Sequence, residues 1–436
     1  MEHNSVSRPG GQIAYLIPEY PGQTHTFFWR ELQAIRALGM TVQVFSTRKP
    51  PAKIISHHWA PQAVAETTYL FPPSWRGLWG AVGILLATSP RRWYRIWQAV
   101  RQADVPSWRE RLRLVSLLPI AAELVYFIRK QQLSHLHVHM CSDVANIALW
   151  AHLLRDLPYS LTLHNSLREF GSNQKWKWRF ASFALVISRQ HLQEVQEELR
   201  GFLPPRVVVA PMGVDLATLT RQEPYSPWQG VGPCRIFSCG RLNPQKNHGD
   251  LLRAVHLVRQ AGLDARLTIA GGDDTPDERH RTALAKLIQE LSLTGTVELL
   301  GAVSEPVVRA HLEQAHLFAL ASIHEGVPVS VMEAMAMEVP VVVTDVGGMR
   351  ELVDDGHNGF IVPARQPELL AQKILTLLQH PELAQDFSRA ARAKIERSFH
   401  SGISAAAIVQ LLHDSGSPAA LTAGGASVSP LGQAAT

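Results

Sequence analysis

Two glutamates, Glu325 and Glu333, stand eight residues apart in HEGVPVSVMEAMAMEVPVVVTDVGG (324–348), a run otherwise apolar enough to be core. Pro328 suits the first turn of a helix over 328–337, so Glu333 lies on that helix and Glu325 in the loop before it. Gly326 and Val327 fill the turn between. A strand, a glycine turn and a helix N-terminus make an anion site, because free backbone N–H groups and the helix dipole both favour negative charge. One carboxylate at its mouth can stabilise developing positive charge, and the other can accept hydrogen bonds from sugar hydroxyls. The plainer reading, solvated residues on an amphipathic helix, suits Glu338 but not Glu325 beside its glycine. A second cluster is SCGRLNPQKNHGDLL (238–252), with Arg241 and Lys246 in a loop between a strand and a helix. Such a pair can clamp a diphosphate, Arg as a fork and Lys as a point charge. Taken alone, an Arg and a Lys in a loop are ordinary surface residues; a second phosphate-suited loop nearby raises their standing. Histidine is the third feature. His135, His137 and His139 alternate along one strand, but no Asp, Glu or Cys ligand cluster accompanies them, so no metal is assigned. His164 ends SLTLH (160–164), where cleft-facing residues belong.

The elements that must carry these residues alternate. IAYLI (13–17) reads as a buried strand, 24–38 as a helix stopped by Gly39, and TVQVF (41–45) as the next strand. The pattern resumes with LHVHM (136–140), a helix over 143–155, SLTLH, FALVIS (183–188), a helix over 190–200 and RVVVA (206–210). Strands 235–240, 265–271, 296–301, 316–321, 339–344 and 359–363 repeat it, and helices 367–379 and 382–397 close the chain. Strand–helix–strand repetition implies parallel sheets. The reading is α/β: an N-terminal Rossmann-like domain over 1–214, a Pro- and Gly-containing linker over 215–233, a second such domain over 234–398, a closing helical segment over 399–413 and a disordered small-residue tail over 414–436. Two doubly wound domains facing each other make the central cleft the expected site.

Residues 74–113 break the alternation. They hold five tryptophans and eight arginines against only Asp104 and Glu110. Trp with Arg on amphipathic helices suits an anionic membrane surface. The alternative is an insert whose Trp faces pack on the domain while its arginines are solvated. Nothing resembles a nucleic-acid reading module, so no nucleic acid is expected as a partner.

Length and composition agree with this plan. A chain of 436 residues exceeds one ordinary core, and 46% hydrophobic with 18% charged residues is a globular balance. The net charge of +5 is compatible with anionic partners without choosing among them. Cys141, Cys234 and Cys239 show no disulfide or zinc spacing and read as reduced thiols. The N-terminus lacks a signal-peptide core, and the longest apolar runs fall short of the ~20 residues of a spanning helix. The expected location is the cytoplasm, either soluble or peripheral on the inner face of the cell membrane.

Together the pieces resemble the family 4 retaining glycosyltransferases, also called glycosyl transferases group 1, which have the two-domain GT-B fold. The run from Glu325 to Glu333 matches the family's Glu-x7-Glu motif, GRLNPQK its Arg/Lys loop, and LTIAGGD the strand before the next helix. IAYLIPEYPGQTHTFFWREL, HLHVHMCSDVANIAL and SLTLHNS are similar to the exopolysaccharide and colanic-acid branch. The resemblance implies that Arg241 and Lys246 bind the donor diphosphate, with help from the amides around Gly326 and Val327. It implies that Glu333 holds the ribose, that Glu325 contacts the donor sugar near the reacting carbon, and that His164 orients that sugar. Transfer from a nucleotide-diphosphate sugar to a growing or lipid-linked glycan would retain configuration and require no metal or other cofactor. This chain has Thr24-His25 where the branch has Ser-Glu, and Asn247 and Glu338 where glycines are usual. No acceptor residue is assigned. The alternatives are a catalytically silent binding or scaffold protein of the same fold, which should have lost Glu325, Arg241 or Lys246, and a soluble transferase acting on a small acceptor.

Overall fold

The computed structural model describes residues 11–50 and 57–416. It contains two parallel sheets. The first is built from β1 (Gln12–Glu19), β2 (Thr41–Arg48), β3 (Thr67–Tyr69), β4 (His135–His139), β5 (Tyr159–Leu163), β6 (Ala184–Val186) and β7 (Val207–Val209), in the order β3-β2-β1-β4-β5-β6-β7. The second is built from β8 (Cys234–Cys239), β9 (Ala265–Ala270), β10 (Val297–Gly301), β11 (Leu317–Leu320), β12 (Val341–Thr344) and β13 (Phe360–Val362), in the order β10-β9-β8-β11-β12-β13. Each order reverses once, between β1 and β4 and between β8 and β11. Such switch points open a crevice at the carboxyl ends of the strands.

The strands have the short apolar composition of sheets covered on both faces. In β1, Ile13, Tyr15 and Ile17 enter the core under the helix Thr26–Ala37, while Ala14 and Leu16 enter the core under the helices Leu118–Lys130 and Asp143–Arg155. This is the two-residue alternation of a strand. In β11, Leu317 and Ala319 serve one face of the second sheet, and Phe318 and Leu320 the other.

Residues 215–233 contain no helix or strand. The last helix, Gly402–Asp414, packs on the first sheet's side, with Ala405, Ile408 and Leu412 among Phe28, Leu32 and Ile35 of the helix Thr26–Ala37. It runs through Asp414, and the tail beyond 416 lies outside the described residues. The insert forms three helices, Trp75–Leu86, Pro90–Gln102 and Trp108–Ser116. Its small and aliphatic side chains, Ala81, Ile84, Ile96, Ala99 and Leu114, join the core. Its tryptophans do not; all five are exposed, which overturns the expectation that they could pack inward. No helix among the described residues is long and apolar enough to cross a membrane.

Candidate functional site

The loop after β8 is shaped by Asn243, whose Oδ1 accepts from the Lys246 amide at 3.0 Å and caps the 3-10 turn Pro244–Lys246. Asn247 then takes the left-handed conformation, φ +47°, and the helix His248–Gln260 begins. The turn folds Lys246 back over Gly240, toward the sheet edge. The neighbouring strand end approaches closely: a Cβ on Gly271 would lie 1.9 Å from the Gly240 carbonyl oxygen, so that position accepts only glycine.

The loop after β11 is fixed from the other side. Gly347 has φ +55°, and a Cβ there would lie 1.8 Å from the Glu325 carbonyl oxygen. The next residue, Gly348, donates its N–H to the Gly326 carbonyl at 2.7 Å. The GG of the opening run thus pins the turn that presents Glu325. Pro328 is the cap of the following helix rather than its first turn, and the helix spans Val329–Ala336.

Both loops lie at the β8/β11 switch point, and their charged ends meet. Lys246 Nζ donates to Glu325 Oε1 at 2.5 Å, and Ser322 Oγ donates to the same oxygen at 2.5 Å. Glu325 is only 9% exposed, so its charge depends on these two donors. Arg241 is half exposed and held by Asp274 at 3.1 Å. Glu333 faces the opposite domain, where Arg30 Nη2 donates to Glu333 Oε1 at 2.8 Å and to Glu305 Oε1 at 2.7 Å. Burial works against the Arg30 charge, and the Glu333 and Glu305 carboxylates outweigh it, raising its pKa. Trp59 Nε1 donates to the other oxygen of Glu305 at 3.1 Å.

The first domain contributes His164, the residue after β5. A histidine chain stands behind it. His139 Nδ1 and His164 Nε2 are 2.9 Å apart, and His139 Nε2 lies 3.1 Å from Glu31 Oε2, in contact though off the line of a good hydrogen bond. Tyr15 also donates to Glu31 Oε2, at 3.0 Å. Burial lowers the His139 pKa to about 3 and that of His164 well below its ordinary value, so both rings are neutral at pH 7. With a carboxylate beside Nε2 of His139, the network places that ring's proton there. His139 Nδ1 then accepts from His164, which leaves His164 Nδ1 as an acceptor. His135 and His137 continue the row and are spent on Ser160 and Thr162 at 2.7–2.9 Å. Among the described residues no group of three or more His, Cys, Asp or Glu is arranged to hold a metal ion.

All seven residues singled out in the sequence, Glu325, Gly326, Val327, Glu333, Arg241, Lys246 and His164, line one cleft of about 650 Å³ between the domains. The domains touch at its floor, where a Cβ on Gly326 would lie 2.9 Å from the His164 carbonyl oxygen. Sequence reasoning missed Arg30, Glu305 and Ser322. An arginine between the apolar positions Phe27, Phe28 and Leu32, in FFWREL (27–32), is the one available signal for Arg30.

Two tandem parallel-sheet domains with a cleft at their switch points are the GT-B arrangement. Solved structures share it across nearly the whole chain. The Anabaena protein HepE in complex with UDP-glucose matches with TM-score 0.69 and 17% identity, over 92% of this chain and 99% of that one. A sucrose-phosphate synthase from Thermosynechococcus elongatus matches with TM-score 0.67 and 18% identity, over 92% and 98%. These likenesses show the fold. Residues 231–394 match the family model "Glycosyl transferases group 1", so this part of the chain is a domain of that family. A putative colanic acid biosynthesis glycosyltransferase, WcaL, of Escherichia coli is 34% identical over 206 residues, 45% of this chain and 48% of that protein. The amylovoran biosynthesis glycosyltransferase AmsK of Erwinia amylovora is 31% identical over 186 residues, 41% and 44%. The matched region spans about half the length of these relatives.

Proposed function

We propose that the protein is a retaining glycosyltransferase that moves a sugar from a nucleotide-diphosphate donor to a growing or lipid-linked glycan in exopolysaccharide assembly. The observation that carries this is the meeting of Lys246 and Glu325 at the β8/β11 switch point, with Arg241 beside them and His164 opposite. Support for the donor class comes from HepE, whose structure holds UDP-glucose. Support for the pathway comes from the names of the curated relatives.

The site's charges suit the chemistry. As the bond from the sugar C1 to the diphosphate oxygen breaks, its electron pair leaves with the diphosphate. Arg241 and Lys246 stabilise that charge in a partly dry cleft, where it counts for more than in water. A diphosphate draws Lys246 away from Glu325, and the freed carboxylate then faces the positive charge developing at C1. Ser322 keeps Glu325 in place during that exchange. His164 Nδ1 accepts a hydrogen bond from a sugar hydroxyl, and Glu333 accepts from the ribose. Retention means that the acceptor oxygen arrives on the face the diphosphate leaves, so its proton passes to the departing phosphate oxygen. The reading calls for no metal or other cofactor, and it places the enzyme at the inner face of the cell membrane.

The test is turnover. UDP-, GDP-, ADP- and dTDP-sugars are incubated with the protein and a lipid-linked glycan extract, and the product is read by proton NMR. One donor class should release its nucleoside diphosphate and give product with the donor's anomeric configuration. Glu325→Gln should abolish this. Inverted product, or turnover unaffected by Glu325→Gln, would sink the mechanism.

A further inference from the structure

The three insert helices are built the wrong way round for water. On Trp75–Leu86 the buried face is narrow and small, Gly77, Ala81 and Ile84. Its outer face carries Trp75, Leu78, Trp79, Val82 and Leu86, at spacings of three and four residues that make one continuous stripe. Trp75 is 79% and Trp79 72% exposed. The helix Pro90–Gln102 repeats the device with Trp93, Tyr94 and Trp97 outside and Ile96 and Ala99 inside. The helix Trp108–Ser116 shows Trp108, 67% exposed, with Leu112 and Val115, over a buried Leu114. Isolated exposed apolar residues are ordinary; three adjacent stripes with six exposed aromatic residues mark an interaction surface.

Its charge selects the partner. Arg76, Arg91, Arg101 and Arg109 are exposed on the same helices, and no carboxylate lies within ion-pair distance of them among the described residues. Arg92 and Arg95 reach Asp156, and Arg113 reaches Asp143. Arg101 lies over the Trp97 ring at 5.4 Å and Arg109 over the Trp108 ring at 5.7 Å, so cation and aromatic are presented together. A second copy of the chain would bring the same cations face to face, which disfavours self-association. Indole rings with guanidinium groups beside them match the interface of an anionic bilayer, rings at the acyl boundary and cations at the phosphates.

We infer that the helices Trp75–Leu86, Pro90–Gln102 and Trp108–Ser116 dock the protein on an anionic lipid surface, with the tryptophans inserted. The inference deepens the proposed function and rests on it only for what the surface offers, a lipid-linked acceptor. The docking face belongs to the first domain, the one that supplies His164. The helix Trp75–Leu86 packs on Leu118–Lys130, the helix that leads into β4.

The test is co-sedimentation of the full chain with vesicles of phosphatidylglycerol and phosphatidylethanolamine, or of phosphatidylcholine alone. Binding is expected to the anionic vesicles only and to weaken as salt rises. Trp75→Ser/Trp79→Ser/Trp108→Ser should weaken it at least ~tenfold, since each indole removes a large apolar area from the interface. Arg91→Glu/Arg101→Glu/Arg109→Glu should weaken it by a similar factor. These side chains are exposed, so both variants should melt as the parent does and keep any stabilisation by nucleotide sugars. That second reading separates failure of docking from failure of the donor site. In the parent, brominated lipid should quench tryptophan emission. The inference is overturned if anionic vesicles do not bind the parent, or if binding survives the tryptophan variant. It is equally overturned if the parent self-associates without lipid and the tryptophan variant does not, because a second copy then covers the face.

Discussion

Arg30 joins the two domains at one point, and Arg30→Met should loosen the cleft. Its Nη2 serves Glu305 and Glu333 at 2.7 and 2.8 Å, and the side chain is 6% exposed against 28% and 14% for its partners. Removing one member of a fully buried ion pair costs ~3–5 kcal/mol, because the remaining charge is stranded. Here water reaches Glu305, and Glu333 can turn into the cleft, so about 2–3 kcal/mol is the better figure. Both carboxylates sit on the second domain, so the loss falls on closure of the domains rather than on either core. About 2 kcal/mol shifts an open–closed equilibrium roughly 30-fold. Hydrogen exchange is the assay: amides of the helices Thr26–Ala37 and Val329–Ala336 that face the cleft should exchange faster by that factor, while strand amides of both sheets should not. The double variant Arg30→Met/Glu333→Gln removes a stranded charge and should recover ~1–2 kcal/mol relative to the sum of the singles. Unchanged cleft exchange, or singles that add within ~0.5 kcal/mol, would refute the coupling.

Other perturbations have equally definite outcomes. Glu338 sits at φ +57°, in the left-handed region that favours glycine, so Glu338→Gly should raise stability by about 1 kcal/mol in urea melts; a loss would show that its side chain makes a contact worth more than the strain. Burial lowers the pKa of His135 and His139 to about 3 and of His248 to about 4, and burial together with the Arg241 charge lowers that of His25 to about 4. A lowered histidine pKa means the unfolded chain takes up protons first, so stability is full above pH 6.5 and falls as pH drops toward the folded values. Each such group should cost roughly 1 kcal/mol between pH 6.5 and 5.5, seen as a falling urea midpoint; a flat profile over that interval would contradict the burial. Ser322→Ala removes a donor to a Glu325 oxygen and should lower kcat about 10-fold with little change in donor binding, whereas an unchanged kcat would free Glu325 from that support.

The fold was legible because its strands are short, apolar and spaced by helical patterns. β3 escaped: Thr67–Tyr69 is three residues with no apolar run, made a strand only by pairing with β2. The second-domain cluster was also legible, since Arg241, Lys246, Glu325 and Glu333 lie in two contiguous runs on neighbouring loops. Arg30 was not, because its partners are about 300 residues away, as the 303-residue separation from Glu333 shows. The alternation of His135, His137 and His139 gave their shared face. It gave no hint that Glu31, on a different element, completes the chain to His164. Composition marked the Trp/Arg insert as unusual, but only the packing of Ala81, Ile84 and Ala99 decided which way its tryptophans point.

The central claim is that the cleft holds a nucleotide-sugar diphosphate between Lys246, Arg241 and Glu325. The most direct measurement is thermal stabilisation by UDP-, GDP-, ADP- and dTDP-sugars, titrated to saturation into the parent and Lys246→Ala. The account predicts a saturable shift with one nucleotide class, weakened about 10–100-fold in the variant, the size of one charge-assisted hydrogen bond. No shift with any of the four, or an equal shift in Lys246→Ala, would contradict it and bring forward a silent protein of the same fold.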